Sequence, residues 1–219
     1  MFSAAIKAIE DIFAPRIRTV LWKSIGLTIV LFISILISLE VLISIMTAFP
    51  WPWLETVLAI ATGLGLFAAF FFLMAPVTAV FAGLFLDEIA EKVELRDYPN
   101  QPVGKPISLS AGLMISLQFG LLVLVINLLL LPTLFFGIGV FLMAMVNAYL
   151  LGREYFTMVA MRHMPVRDAH AMRKHYMGKV FAAGLIPAGL SMIPILNILV
   201  PLFSTAYFVH IVKTIQREN

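Results

Sequence analysis

The chain has 219 residues, of which 62% are hydrophobic and only 12% are charged. Soluble globular proteins average roughly 45 to 50% apolar and about 25% charged residues, so soluble enzymes, nucleic-acid-binding modules and disordered linkers are disfavoured. The 15 Lys and Arg against 12 Asp and Glu leave a net charge of +3, too small to indicate nucleic acid as a partner. Because there is no cysteine, disulfides, thiolate metal sites and thiol nucleophiles are excluded. The composition predicts an integral membrane protein.

Two long stretches with few or no charges predict transmembrane helices. Residues 24–49 are interrupted by a single charge, Glu40, and residues 56–86 contain none. About 20 apolar residues in a helix cross a hydrocarbon core of about 30 Å, so each stretch is long enough to span. The link at 50–55 holds two prolines and two tryptophans, which is typical of a turn at the membrane interface.

Two later stretches without charged residues or His, 106–152 and 180–209, predict helical hairpins, the second of which extends to 212. The first is broken near its middle at Pro132, and the second at Pro194 and Asn197. The arms of the second are shorter than the length that one crossing needs, so these hairpins are predicted to be re-entrant, or hemi-penetrating. Broken backbone inside lipid needs polar or protein neighbours, which favours packing between the hairpins or a homo-oligomer around a polar pathway. The predicted fold is therefore all-α, one membrane domain with two long transmembrane helices and two hairpins.

The cations are predicted to lie on one side of the membrane. If the amino end is cytoplasmic, two crossings and two returning hairpins place all 15 Lys and Arg on that face, in agreement with the positive-inside rule. Residues 153–179 alternate apolar and basic side chains, which predicts peripheral amphipathic helices whose basic surface meets solvent and anionic lipid. The basic side chains of that surface include Arg162, Arg167, Arg173 and Lys174.

Catalysis and metal binding are not expected. His170 and His175 are five residues apart and do not share a helix face well, so a metal site is improbable. The sequence contains no HExxH, GxSxG or phosphate-loop pattern, and so no cofactor, no ATP-driven step and no enzyme activity are predicted.

The start of the first long helix is a candidate oxyanion site. Pro15 suits the first position of a helix, and Arg16 and Arg18 follow it. The positive end of a helix dipole and guanidinium donors both favour an oxyanion. The alternative is that these cations only anchor the helix among anionic headgroups.

Polar residues within the apolar stretches are candidates for a pathway or for proton coupling. Glu40 lies in the outer half of the first long helix, where a carboxylate is costly and suggests function, although it could also be neutral or lie at a subunit contact. Asn127 and Asn197 lie near the hairpin turns. They are predicted either to hydrogen-bond between helices or cap the broken tips, as Gln118 and Asn147 would, or to line a pore.

Several segments carry a resemblance to a known family. They are Ala75-Pro76 through Gly83-Leu84-Phe85 with the acidic run at 87–91, Leu151 to Tyr155, and Ile193 to Asn197 with Pro201. In these segments the chain resembles the CysZ family of bacterial sulfate permeases and its broader superfamily, which also contains etoposide-induced-protein-like membrane proteins.

The resemblance implies a homo-oligomer in the bacterial inner membrane, with two long helices and hemi-penetrating hairpins, that admits sulfate for cysteine synthesis. It also implies that sulfate binds where a Gly-hydrophobic-Arg-Arg motif opens the first long helix. That motif falls on Arg16, Ile17, Arg18 and Thr19. Ile17 and Arg18 match it, whereas Arg16 stands in place of the glycine and Thr19 in place of the second arginine. The expected function is a sulfate permease; the alternatives are a permease for another oxyanion and a non-transporting scaffold or assembly protein.

Overall fold

A computed structural model describes residues 1–15, 86–197 and 199–218, together with scattered residues between 18 and 60. Within these residues all regular structure is helical and no strand is present, which confirms the predicted all-α class. The predicted span at 56–86 lies almost wholly outside the described residues, as does the Pro50 to Glu55 turn. The helices are α1 (Phe2–Phe13), α2 (described over 86–97), α3 (Leu109–Leu130), α4 (Gly139–Met161), α5 (Val166–His175), α6 (Met177–Ser191), α7 (Pro194–Asn197) and α8 (Val200–Glu218).

Helix α1 was not anticipated from the sequence, and it is amphipathic with an unusual division of residue sizes. Small residues, among them Ala4 and Ala8, face the interior and let α1 approach α8 closely. Large apolar residues lie on the opposite, exposed face. The helix ends because Ala14 is extended (φ −63°, ψ 142°), the conformation that a following proline imposes.

The chain reverses between α3 and α4, where the break at Pro132 predicted a turn. Residues Leu131–Phe136 form a 3-10 helix, and Gly137 then adopts φ 74°, a left-handed conformation that glycine accepts without strain. A side chain at Gly139 would meet the backbone of Thr133 and Leu134. The turn therefore depends on one proline and two glycines.

The described residues contain one helix that is long and apolar enough to cross a membrane, Ser110–Phe136. At 1.5 Å per residue the 22 residues of α3 extend about 33 Å, so the length of α3 does not restrict it to one leaflet. Its depth, and the hemi-penetrating arrangement, stay predictions.

Helix α4 runs without interruption to Met161. Residues 153–161 therefore belong to the second arm of the hairpin. The sequence analysis had ended the hairpin at residue 152 and assigned these residues to a peripheral helix. The physical reason is that no proline follows until Pro165, so nothing stops the helix at the first charges. Only α5, which starts after Pro165, is a short separate helix.

Helix α8 forms the centre of the described structure. Its residues 200–213 are buried on every side, with α1, α4 and α6 packed around them. Helices α4 and α6 cross at Gly152 and Gly184, where no side chain separates the two backbones. This packing brings the charged ends of α1 and α4 close to α8.

Candidate functional site

The predicted oxyanion site is only partly described. The N–H of Arg18 donates to the carbonyl oxygen of Ala14 (2.9 Å), and Pro15 is already helical. A helix thus begins at Pro15, as predicted, and Arg18 and Thr19 are exposed on it. Arg16 and Ile17 lie outside the described residues, as does Glu40.

A second group of charged and polar residues lies where α1, α2, α4 and α8 meet, and the sequence analysis did not predict that they come together; most of them are buried, although Arg96 is exposed. We call it the charged core. Its members are Asp11, Asp87, Glu94, Arg96, Asp97, Tyr98, Arg162, His163, His210 and Lys213.

Arg162 is the centre of the first half of the charged core. Its side chain is 1% exposed and pairs with Asp87 and with Glu94, the latter at 3.3 Å. It also donates to the carbonyl oxygen of Gly104 (3.3 Å), so the loop after α2 closes over it. The expectation that Arg162 belongs to a solvated basic surface is therefore wrong: two carboxylates of α2 neutralise it, so burial is tolerated.

Glu94 is held by three kinds of donor. Its carboxylate accepts hydrogen bonds from the N–H of Gly104 (2.9 Å) and from Nε2 of His163 (2.8 Å), in addition to the ion pair with Arg162. Burial alone would raise the pKa of Glu94, but these hydrogen bonds and the nearby positive charge outweigh it, so the pKa lies below its ordinary value. Glu94 is thus ionised at neutral pH despite its burial.

His210 is the centre of the second half. Its Nε2 lies 2.8 Å from Oδ2 of Asp11, and its Nδ1 lies 2.9 Å from the hydroxyl of Tyr98. Burial, with Asp97 and Asp11 nearby, raises the pKa of Tyr98 against the opposing charge of Arg217. Tyr98 therefore stays protonated; with a neutral imidazole its hydroxyl donates to Nδ1 and the Nε2–H donates to Asp11.

Asp11, Asp97 and His210 place one ligand atom each within 4.8 Å of one another, a grouping that can hold a metal ion. Two of those residues are already engaged, because Arg96 donates to Oδ1 of Asp11 (3.0 Å) and His210 bonds to Oδ2. An adjacent guanidinium repels a divalent cation, so the geometry fits an ion-pair network better than a metal centre.

Among the polar residues of the hairpins, Asn127 and Asn147 form a reciprocal pair. Each side-chain amide donates to the other's carbonyl oxygen at 3.0 Å, which joins the last turn of α3 to α4. This confirms the predicted hydrogen bond between helices for these two residues. Asn197 ends α7 beside the second turn, and a pore-lining role for either Asn127 or Asn197 stays a prediction.

The charged core could have been suspected from helix periodicity. Glu94 lies on the same face of α2 as the buried residues Leu86, Ile89, Ala90 and Val93. A charged residue on an apolar helix face indicates that a group of opposite charge is buried beside it. No such signal identifies the partner, because Arg162 lies 68 positions away along the chain.

The described residues are all-helical and include a long, exposed apolar helix, which is compatible with a helical membrane protein. The chain belongs to the family described as sulfate transporter CysZ/etoposide-induced protein 2.4, which matches residues 4–201. This confirms the family that the sequence resemblance indicated. It is a transporter-type family and not an enzyme family. No individual curated protein matches the chain.

Proposed function

We propose that the protein is a permease through which sulfate, or a related oxyanion, crosses the bacterial inner membrane and supplies cysteine synthesis. The observation that carries the proposal is the match to the sulfate transporter family over residues 4–201. The proposed movement follows a gradient or the consumption of sulfate, since the sequence has no ATP-binding motif.

The start of the first long helix supports an oxyanion-binding role. The helix begins at Pro15, so its positive end lies in the segment that carries Arg16 and Arg18, with Thr19 next to them. The proposed site consists of Arg16, Ile17, Arg18 and Thr19, with Glu40, Asn127 and Asn197 along the pathway.

A homo-oligomer is part of the proposal. A chain of 219 residues supplies few helices to enclose a hydrated pathway, and the exposed apolar face of α3 offers area both to lipid and to neighbouring subunits. Crosslinking in native membranes should recover oligomers; monomer alone would contradict this part.

Sulfate uptake into liposomes tests the function directly. Vesicles containing the purified protein should take up radiolabelled sulfate faster than empty vesicles. Replacing both Arg16 and Arg18 by Ala should lower uptake about tenfold or more, because the anion loses a charge-assisted hydrogen bond from each guanidinium.

The matched control is Arg167→Ala, which removes an exposed arginine of α5 and should leave uptake unchanged. Uptake no faster than in empty vesicles would favour a membrane scaffold, in which α3 and its tip only anchor the protein in lipid. Uptake of thiosulfate or sulfite but not sulfate would assign another oxyanion.

A further inference from the structure

Four large apolar side chains form an exposed strip along helix α1. Each is between 49 and 83% exposed. At about 100° per residue, the four fall within about 60° of the helix circumference. We call them the apolar strip, and its members are Phe2, Ile6, Ile9 and Phe13. A narrow apolar face on an otherwise polar or packed helix is typical of a helix that lies in a membrane interface.

A polar strip lies directly beside the apolar one. Ser3, Lys7 and Glu10 are exposed and fall within the next arc of about 60°. Ser3 and Lys7 border a cleft of about 440 Å³ between α1, α6 and α8. The exposed charged side chains of α1 are thus one cation and one anion, so this helix has no excess of cations with which to attract anionic lipid.

Contacts of the inner face hold α1 in this orientation. Its alanines pack on α8. Asp11 lies 2.8 Å from Nε2 of His210 and accepts a hydrogen bond from Arg96 at 3.0 Å. Helix α1 cannot rotate the apolar strip toward the protein interior without breaking these bonds, so the strip must be covered from outside.

The helix that follows α1 indicates where the apolar strip lies relative to the membrane. The chain bends at Ala14, and the next helix begins at Pro15 and leads into the predicted span at 24–49. Trp22 on this helix is 65% exposed, and tryptophan favours the headgroup layer. Trp22 is seven residues beyond Pro15, which is about 10 Å at 1.5 Å per residue. The end of α1 is therefore within reach of the headgroup layer.

The area of the apolar strip favours lipid over a second copy of the chain as its cover. The 12 residues of α1 extend about 18 Å, and a strip about 10 Å wide then has an area of about 200 Å². A specific protein interface buries about 800 Å² on each partner. The strip alone is too small for such an interface, whereas a bilayer covers apolar surface of any extent.

We propose that α1 lies flat in the headgroup layer with the apolar strip among the acyl chains, and that zwitterionic phospholipid is sufficient for this docking. The driving force is burial of apolar surface and not attraction between charges. Docking of α1 does not require transport, so the proposal is independent of the permease function and holds equally for a scaffold protein.

Fluorescence quenching by brominated phosphatidylcholine tests the docking in the full-length protein, which has no native cysteine. An NBD label at Ile6→Cys or Ile9→Cys should lose about half of its fluorescence or more when the bromines are near the headgroup end of the acyl chains, because a docked apolar face lies about 5 to 10 Å deep. The matched controls are labels at Lys7→Cys and Glu10→Cys, each one residue further along, which should be quenched much less. Adding phosphatidylglycerol or salt should change none of these values.

Several results would overturn the proposal. Labels at Ile6→Cys and Ile9→Cys that are not quenched, or that are quenched no more than the two controls, would show that the strip does not contact acyl chains. Quenching only in the presence of phosphatidylglycerol would assign the contact to charge. Labels that lipid does not quench, that are shielded from aqueous dithionite and that crosslink between copies would assign the strip to a subunit contact.

A second set of variants tests whether the apolar strip causes the docking. With the label at Phe2→Cys, the additional change Ile6→Gln/Ile9→Gln should reduce the quenching about twofold or more, because the middle of the apolar face is lost. Glu10→Gln in the same background removes a charge but no apolar area and should leave the quenching unchanged. An equal reduction by both changes would contradict apolar docking.

Discussion

Arg162 is the single residue on which the charged core depends most. It is buried and forms ion pairs with both Asp87 and Glu94 of α2. Replacing it with Gln should lower the free energy of unfolding by about 3 to 5 kcal/mol, because a buried carboxylate loses its partner. Unfolding in detergent measures this. The control Arg167→Gln, at an exposed site, should stay within about 0.5 kcal/mol of the wild type, and an equal loss in both would contradict the assignment.

Ionised Glu94 makes the stability of the folded protein depend on pH in the acidic range. Its folded pKa lies below the ordinary value of 4.5, so its contribution is complete above that pH and is lost as the pH falls through the folded pKa. The midpoint of thermal unfolding should therefore fall on acidification below about pH 4.5, and Glu94→Gln should flatten that fall. Glu91→Gln, an exposed residue one turn earlier, should keep the wild-type profile; a flattened profile there would point to general charge repulsion.

The pair Asn127 and Asn147 separates a structural from a pore-lining role. Asn127→Leu leaves the amide of Asn147 without its partner and should cost about 1 to 2 kcal/mol of stability. Asn127→Leu/Asn147→Leu removes both amides and should recover most of that loss. If Asn127 lines the pathway, the double variant should still be impaired in sulfate uptake; uptake recovered together with stability would leave the pair a structural role alone.

At the scale of elements, the crossing of α4 and α6 requires two glycines. A Cβ at Gly152 would lie 2.6 Å from the carbonyl oxygen of Val180, and one at Gly184 would overlap that of Ala148. Gly184→Ala should therefore destabilise the protein by about 1 to 3 kcal/mol, since the backbones cannot separate without losing contacts elsewhere.

Gly189→Ala is the matched control for Gly184, because it lies in the same helix and a Cβ there meets nothing within 4 Å. It should leave the unfolding midpoint unchanged or raise it slightly, as Ala favours helix over Gly by up to about 1 kcal/mol. Equal destabilisation by both substitutions would show that helix flexibility, and not the crossing, requires Gly184.

The element boundaries show where sequence patterns were sufficient. The turns near Pro132 and Pro194 follow from local chemistry, since proline and glycine restrict the backbone wherever they occur. The continuation of α4 to Met161 was missed because charge was taken as the end of the helix, whereas helices end at backbone breakers. Helix α1 was missed because its buried face consists mainly of alanines, with Asp11 and Ile12 at its end, and hydropathy hardly distinguishes such a face from its surroundings.

At the scale of the whole molecule, the tip of the first hairpin should lie inside the bilayer. Phe135 and Phe136 are 93% and 78% exposed, an arrangement that lipid stabilises and water does not. Since the chain has no native cysteine, Phe135→Cys can carry a single nitroxide. In liposomes it should be accessible to oxygen and protected from a water-soluble nickel reagent, whereas Arg167→Cys should show the reverse.

The same labels measure how far the hairpin penetrates. A hairpin confined to one leaflet places Phe135 deeper than Leu121, which lies halfway along α3. A full crossing places Leu121 deepest and returns Phe135 toward the opposite interface. Nickel accessibility at both positions would contradict insertion altogether.

The sequence by itself was sufficient to predict a membrane environment and an all-α fold. Long charge-free stretches, the breaks within them and the placement of cations are local properties, and a bilayer imposes helices on any chain that carries them. What only the tertiary structure decided is which charges meet. The pairing of Arg162 with Glu94 and of His210 with Asp11 joins residues 68 and 199 positions apart, and their energies depend on burial and on distances of a few ångströms, which no periodicity of the chain encodes.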